Sequence, residues 1–279
     1  MKIERCAALV AAGLLSACGG GGGGGDGPGS NLQPVRTTMQ APNTTQSYQA
    51  SSAAGWVDPM TGLTSTGIDP AGAGSTVTIT TDADGNIEKF EFSTNTAGVG
   101  FSAEGRPLRE PGGFLAETDD FIFGSLSYSV FGVWTAPDGG SFGRVGVFAA
   151  GVETAAGSVP LNGNATYNGM ALGLGTDSNG AFAFAGDAQI VADFSSQSVR
   201  TTFSSLVTHD PVTNKTDTLP PLSGTSTITG NKYSGSINGG ALSGNVEGAF
   251  YGPGAEETAG VLRAQGGGTT LLGSYGARR

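Results

Sequence analysis

At 279 residues, with 50 glycines, few charges and a formal net charge of −10, the chain reads as one or two glycine-rich, strand-dominated domains. The acidic balance argues against nucleic acid, which requires a basic stripe, and the lack of any Gly-X-Y period excludes a collagen. Both cysteines, Cys6 and Cys18, fall at the extreme N-terminus, so the body offers neither a disulfide framework nor a thiolate metal site.

Lys2 and Arg5 precede an apolar run from Cys6 to Leu15, the pattern of an export signal over residues 1–17. The run falls short of the roughly 20 residues needed to cross a bilayer as a helix. Leu15-Ser16-Ala17-Cys18 resembles the lipobox of bacterial lipoproteins, which implies cleavage before Cys18 and acyl chains upon it. The alternative is an ordinary secretory signal in which Cys18 is incidental. Residues 18–30, with Gly19–Gly25 at their centre, have the composition of a flexible tether. Gly19 beside the cysteine, by resemblance to enterobacterial sorting, is compatible with the outer membrane.

Residues 31–120 are expected to form an N-terminal, handle-like β region. Its first part, to about Gly74, is polar and aperiodic, with Tyr48 and Trp56 as exposed aromatics, and is expected to wrap the body or to lack order in part. Val77–Phe92 alternates apolar and polar residues around Asp84-Gly85-Asn86, which predicts a hairpin. Asp82, Asp84 and Asn86 also have the alternation of a calcium loop, but the glycine is misplaced and the distal glutamate missing, so the turn is preferred. Thr94–Asp120, with Arg106, Pro107, Arg109, Glu110 and Pro111, reads as a long connection.

From Phe121 to the end, strand and turn alternate. Strands are expected around Tyr128–Trp134 and Arg144–Ala150, then around Tyr167. The clearest carries Phe182, Phe184, Gly186, Ala188, Ile190, Ala192 and Phe194 on one face and Asp187, Gln189 and Asp193 on the other. Such alternation predicts antiparallel pairing with one solvated face. Glycines beside Tyr167, Phe250, Tyr251 and Tyr275 mark a sheet that curls, and about eight strands close into a barrel that its own side chains fill. The expected fold is all-β: an eight-stranded antiparallel β-barrel at residues 121–279, preceded by a small handle-like β-sheet. A two-sheet sandwich is the alternative.

Phe131-Gly-Val-Trp134, Ala150-Gly-Val-Glu-Thr154, Asn164-Ala-Thr-Tyr-Asn-Gly169, Val191-Ala-Asp-Phe194, Val246–Gly260 and Gly273-Ser-Tyr-Gly-Ala277 together resemble the barrel domain of the transferrin-binding protein B family. The resemblance implies a bacterial surface lipoprotein with a barrel beside a handle, of a family that captures host transferrin, haemoglobin or haem, or regulates complement. The chain has length for one handle and one barrel, not two lobes. The matching positions are architectural and leave the binding residues unassigned.

Catalytic chemistry lacks residues. His209, the single histidine, lies in Thr208-His-Asp-Pro211, which reads as a solvent-facing polar turn; a catalytic or haem-ligating role is the alternative. Glu256 and Glu257 are neighbours that an extended chain points to opposite faces, so they read as charges solvating the barrel mouth. No catalytic residue, metal site or cofactor is expected. The expected function is a non-enzymatic outer-membrane lipoprotein, lipidated at Cys18, that binds a host protein, haem or another small-molecule nutrient. A solute carrier or a structural envelope protein is the alternative, and exposure at the cell surface or on the periplasmic face is left open.

Overall fold

The structure, a computed structural model, describes residues 32–58, 62–70, 72–94, 99–104, 115–118, 121–137 and 143–279. Cys18, the tether and Arg106 to Pro111 lie outside them. The described strands form two nine-stranded antiparallel sheets, with one short helix, α1 (Val35–Thr38), before them.

The first sheet is organised by β1 (Thr45–Asp58), which belongs to two layers at once. Its first half, Thr45–Gln49, pairs with β3 (Thr76–Thr81), which continues to β4 (Ile87–Thr94) and β5 (Val99–Glu104). Its second half, Ala50–Val57, pairs with β9 (Gly143–Gly151), which continues through β8 (Ser129–Pro137) and β7 (Phe121–Ser125) to β6 (Leu115–Thr118). A further strand, β2 (Gly62–Asp69), folds back on β1 with a register shift between Ala53 and Gly55. A side chain at Gly55 would strike the carbonyl oxygen of Thr64, so the bulge needs glycine.

The second sheet closes. In order around the ring run β10 (Asn164–Asp177), β11 (Gly180–Asp193), β12 (Ser198–His209), β14 (Leu222–Thr229), β15 (Lys232–Gly239), β16 (Leu242–Tyr251), β17 (Glu257–Gly266) and β18 (Thr269–Arg278), which pairs again with β10. A three-residue strand, β13 (Thr216–Thr218), sits on the last residues of β12. The expected eight-stranded antiparallel barrel beside a handle-like sheet is therefore what the chain forms.

Three buried clusters hold this together. One fills the barrel lumen, with Tyr167, Phe184, Phe203, Phe250 and Tyr275 among its members. A second lies between the two halves of the first sheet, around Tyr48, Phe90, Phe92, Trp134 and Phe148. The third joins the modules: Leu63, Phe131, Val133, Val145 and Val147 of the first sheet meet Met170, Leu172, Leu174, Val261 and Leu272 on the outside of the barrel.

Three expectations need correction. The strand of Arg144–Ala150 pairs with β1, and the strand around Trp134 pairs with it in turn, so both belong to the first sheet and not to the barrel, whose first strand starts at Asn164. They are buried on both faces, between the second and third clusters, and so carry no alternation that assigns them to one sheet. The stretch before Gly74 contains β1 and β2 where irregular chain was expected; Tyr48 is fully buried, its hydroxyl 2.7 Å from Thr38 Oγ1 and donating to the Gln33 carbonyl at 3.0 Å. Thr94–Asp120 contributes two short strands, β5 and β6, where a connection was expected.

Candidate ligand-facing surface

The lumen is occupied along its length by the protein's own rings. Phe250 packs 6.0 Å from Tyr167, 5.5 Å from Phe194 and 5.4 Å from Tyr233, centroid to centroid, and Phe203 lies edge-on to Tyr275 at 5.2 Å. Their hydroxyls are satisfied from within. Tyr233 Oη lies 2.7 Å from Thr258 Oγ1 and 2.8 Å from Tyr275 Oη, and Tyr167 donates to the Ala255 carbonyl at 2.8 Å. Burial pushes the Tyr167 phenol up to about 12, and those of Tyr233, Tyr251 and Tyr275 well above the ordinary value. The glycines beside these rings make room for them, since a side chain at Gly248 would collide with both Tyr233 and Tyr275. The barrel is thus a packed core, and a macromolecular ligand has to be met on the outside.

The outer wall has two halves. One is apolar and covered by the first sheet, as above. The other carries Thr202, Ser204, Thr225, Thr227, Ser234, Ser236, Ser243 and Asn245 toward water. A membrane-spanning barrel needs an outward apolar band about 25 Å tall, and this hydroxyl-rich wall is its opposite. The barrel is a water-facing body.

Its two poles differ. At the entry pole lie the start of β10, the end of β11, the β16–β17 loop and the end of β18. The N-terminal segment joins the fold here: Arg36 N–H donates to the Ser127 carbonyl at 3.1 Å. Ser127 is in turn held by Glu257. The Glu257 carboxylate, 3 % exposed, accepts Ser127 N–H at 2.7 Å, Tyr128 N–H at 3.0 Å and Ser129 Oγ at 2.9 Å. Burial pushes this carboxyl above its ordinary value, and the bonds from Tyr128, Ser129 and Ser127 offset that in part. The sequence reading of Glu257 as a solvating charge is corrected: an isolated carboxylate buries itself only where donors converge, and these lie 128 to 130 residues away in the chain. Glu256 stays apart, accepting Gly254 N–H at 2.9 Å, so the two carboxylates form no pair.

At the far pole, Leu63 N–H donates to Thr176 Oγ1 at 2.7 Å and fixes the β1–β2 hairpin to the end of β10. Val57 and Leu63 face the barrel, so Trp56 faces away from it. Trp56 is 42 % exposed, flanked across the sheet by Thr64 and Arg144, with the Arg144 guanidinium 4.9 Å from its ring centroid. Two further apolar side chains, Val207 and Val212, are exposed at this end of the barrel. His209 lies between them in sequence but is only 7 % exposed, and neither ring nitrogen has a hydrogen-bond partner. The expectation of a solvent-facing histidine is corrected: the chain is still strand at this point, paired to Ala183 and Thr216, so the turn begins only at Asp210. The calcium alternative gains nothing at the β3–β4 hairpin, where Asp82 Oδ1 accepts the N–H groups of Asp84 at 2.9 Å and Asn86 at 2.8 Å as a turn. Among the described residues no group of three His, Cys, Asp or Glu side chains gathers to hold a metal.

Comparison with known proteins agrees with this architecture. Residues 159–279 match the family of C-lobe and N-lobe beta barrels of Tf-binding protein B. Intact Ap-TbpB, with N and C lobes, is similar over 81 % of this chain and 45 % of its own, at 17 % identity and a TM-score of 0.50. Isotype 1 TbpB from serogroup B Neisseria meningitidis is similar over 83 % of this chain and 43 % of its own, at 18 % identity and a TM-score of 0.50. HpuA from Kingella denitrificans, solved in complex with human haemoglobin, is similar over 89 % of this chain and 93 % of its own, at 15 % identity and a TM-score of 0.45. The chain spans less than half the length of the two TbpB proteins. No curated protein sequence is significantly similar to it. Filled lumen, glycine-and-tyrosine pattern and family match fall on the same stretch, and residues 159–279 are similar to the beta barrels of Tf-binding protein B.

Proposed function

We propose that the chain is a non-enzymatic, lipid-anchored protein of the bacterial outer membrane that captures a host protein with its far pole, the end opposite the point where the N-terminal segment joins the fold. The observation that carries this reading is the exposed Trp56, backed by the half-buried Arg144, on a sheet whose other face is locked to the barrel. Trp and Arg dominate binding energy at protein interfaces, and a ring already flanked on both sides loses little freedom on binding. The lumen, filled by its own side chains, favours a protein over a small molecule as ligand. Family likeness supports the class of partner, since TbpB is named for transferrin.

The test is capture of transferrin, haemoglobin and haem by the full chain, in parallel with Trp56→Ala. Binding of one protein ligand that weakens at least about tenfold in the variant, with unchanged melting temperature, is expected for an anchor residue. Equal capture by both forms would sink the far-pole assignment, and no capture of any serum protein would sink the function. Labelled palmitate entering wild type but not Cys18→Ala tests the anchor.

A further inference from the structure

We infer that the entry pole rests on the bilayer surface, with Leu161 as the side chain that dips into it. The inference rests on the reading that Cys18 carries lipid.

Leu161 is 81 % exposed, and it is not a loose side chain. The segment between β9 and β10 crosses this end of the barrel and is pinned along its way. Thr154 N–H donates to the Phe250 carbonyl at 2.8 Å, Val159 is buried in the lumen cluster, Gly163 N–H donates to Ser195 Oγ at 3.1 Å, and Phe194 N–H donates to the Gly163 carbonyl at 3.0 Å. Pro160 to Asn162 therefore project from a fixed base, with Leu161 at the apex. Ala155 and Ala156 are exposed on the same segment. A leucine presented in this way to water buries its apolar area only when another surface arrives.

The position of the tether says which surface. The N-terminal segment enters at this same pole, through Arg36, Ser127 and Glu257. Thirteen residues, Gly19 to Asn31, separate the acylated cysteine from the fold, which begins at Leu32 packed on the second cluster. For a chain of that composition the mean span is about 20 Å, less than the roughly 33 Å of a ten-residue strand. A body held so closely meets the bilayer with its entry pole and turns the far pole away. Charge agrees: in a chain of net −10, this rim carries exposed Arg200 and Arg279, with Lys232 and Arg278 near them, beside Asp193, Glu153 and Glu256. Cations of this kind favour anionic headgroups. One leucine and a few cations would not hold a free protein, but a tether makes the contact intramolecular, at an effective concentration on the order of millimolar.

The test uses the lipidated full chain in vesicles of phosphatidylethanolamine and phosphatidylglycerol, with an environment-sensitive thiol dye placed by Leu161→Cys or, separately, by Val212→Cys at the far pole. The mature body has no other free thiol once Cys18 is acylated. The expected result is a blue-shifted emission for the dye at 161, quenched severalfold more strongly by nitroxide-bearing lipids than the dye at 212. Equal, water-like emission from the two positions overturns the docking. Vesicle co-sedimentation is read on the same samples: protein that pellets with a water-exposed 161 label overturns the docking alone, and protein that fails to pellet overturns the lipid reading and the docking with it.

Discussion

Replacing Glu257 by alanine should loosen the handle from the barrel. The substitution leaves Ser127 N–H and Tyr128 N–H aimed at a gap and releases Ser129 Oγ, where the carboxylate now accepts all three at 2.7–3.0 Å. A fully buried donor left without an acceptor costs about 1–3 kcal/mol; Ser127 and Tyr128 are half-buried and regain part of that from water, so a total of about 2–4 kcal/mol is expected. For a chain of this size that is a fall in melting temperature of roughly 10 °C. Hydrogen exchange should show the loss first at the amides of Ser127 and Tyr128. Glu257→Gln should cost less, since its carbonyl still accepts one bond, and it isolates the titration. The folded carboxyl is held above its unfolded value by burial. The native state therefore binds this proton more tightly, and the stability so gained is full below the unfolded value, near pH ~4.3, and is lost as pH rises through the folded value. Wild type should gain on Glu257→Gln as pH falls from neutral toward 4. An alanine variant that melts with wild type, or a difference independent of pH, would refute the role given to this carboxylate.

Gly146→Ala should destabilise by about 1–3 kcal/mol, because its methyl would lie 2.5 Å from Cε2 of the fully buried Trp134; urea titration measures it, and a neutral result would mean that the ring has room to shift. All six tyrosines are held above their ordinary value, Tyr167 at about 12. Stability should thus be intact below the unfolded phenol value near pH ~10 and lost above it, with tyrosinate absorbance appearing together with unfolding; a gradual rise centred on pH ~10 without unfolding would contradict the packing. His209→Leu should be neutral or stabilising by up to about 1 kcal/mol, because both ring nitrogens are buried without partners; a loss of several kcal/mol on thermal melting would show that the imidazole is bonded in solution.

The barrel was legible in the sequence because the strands of its uncovered wall, β11, β12, β14 and β15, have one wet and one dry face. Phe182 to Phe194 alternate with Asp187, Gln189 and Asp193, and the glycines opposite the rings announce curvature. The first sheet was not legible to the same degree. In β9 every residue from Val145 to Gly151 is buried, because one face meets the barrel and the other the handle cluster. A strand with two dry faces has no period to assign it. β1 mixes serine, alanine and glutamine because it bends between two layers, and its serines are buried at Ser51 and Ser52. Glu257 was misread for a different reason. Adjacent glutamates in a Gly-Pro-Gly loop look solvated, and only the arrival of Ser127–Ser129 from far upstream makes one of them a joint.

The joint and the surface together explain why likeness to the family carries fold information and little about ligand. The matching residues, Tyr167, Phe250, Tyr251, Glu257 and Tyr275, are buried and bind one another or the handle; each loses several contacts if changed. Trp56, Val207 and Val212 are exposed at the other pole, and no barrel contact constrains what stands there. A packed barrel tied to its handle at Glu257 and along the Leu63–Leu174 face holds that pole rigid while leaving its side chains free to differ. Rigidity and freedom are thus assigned to opposite ends of the molecule, which is the division the proposed function requires.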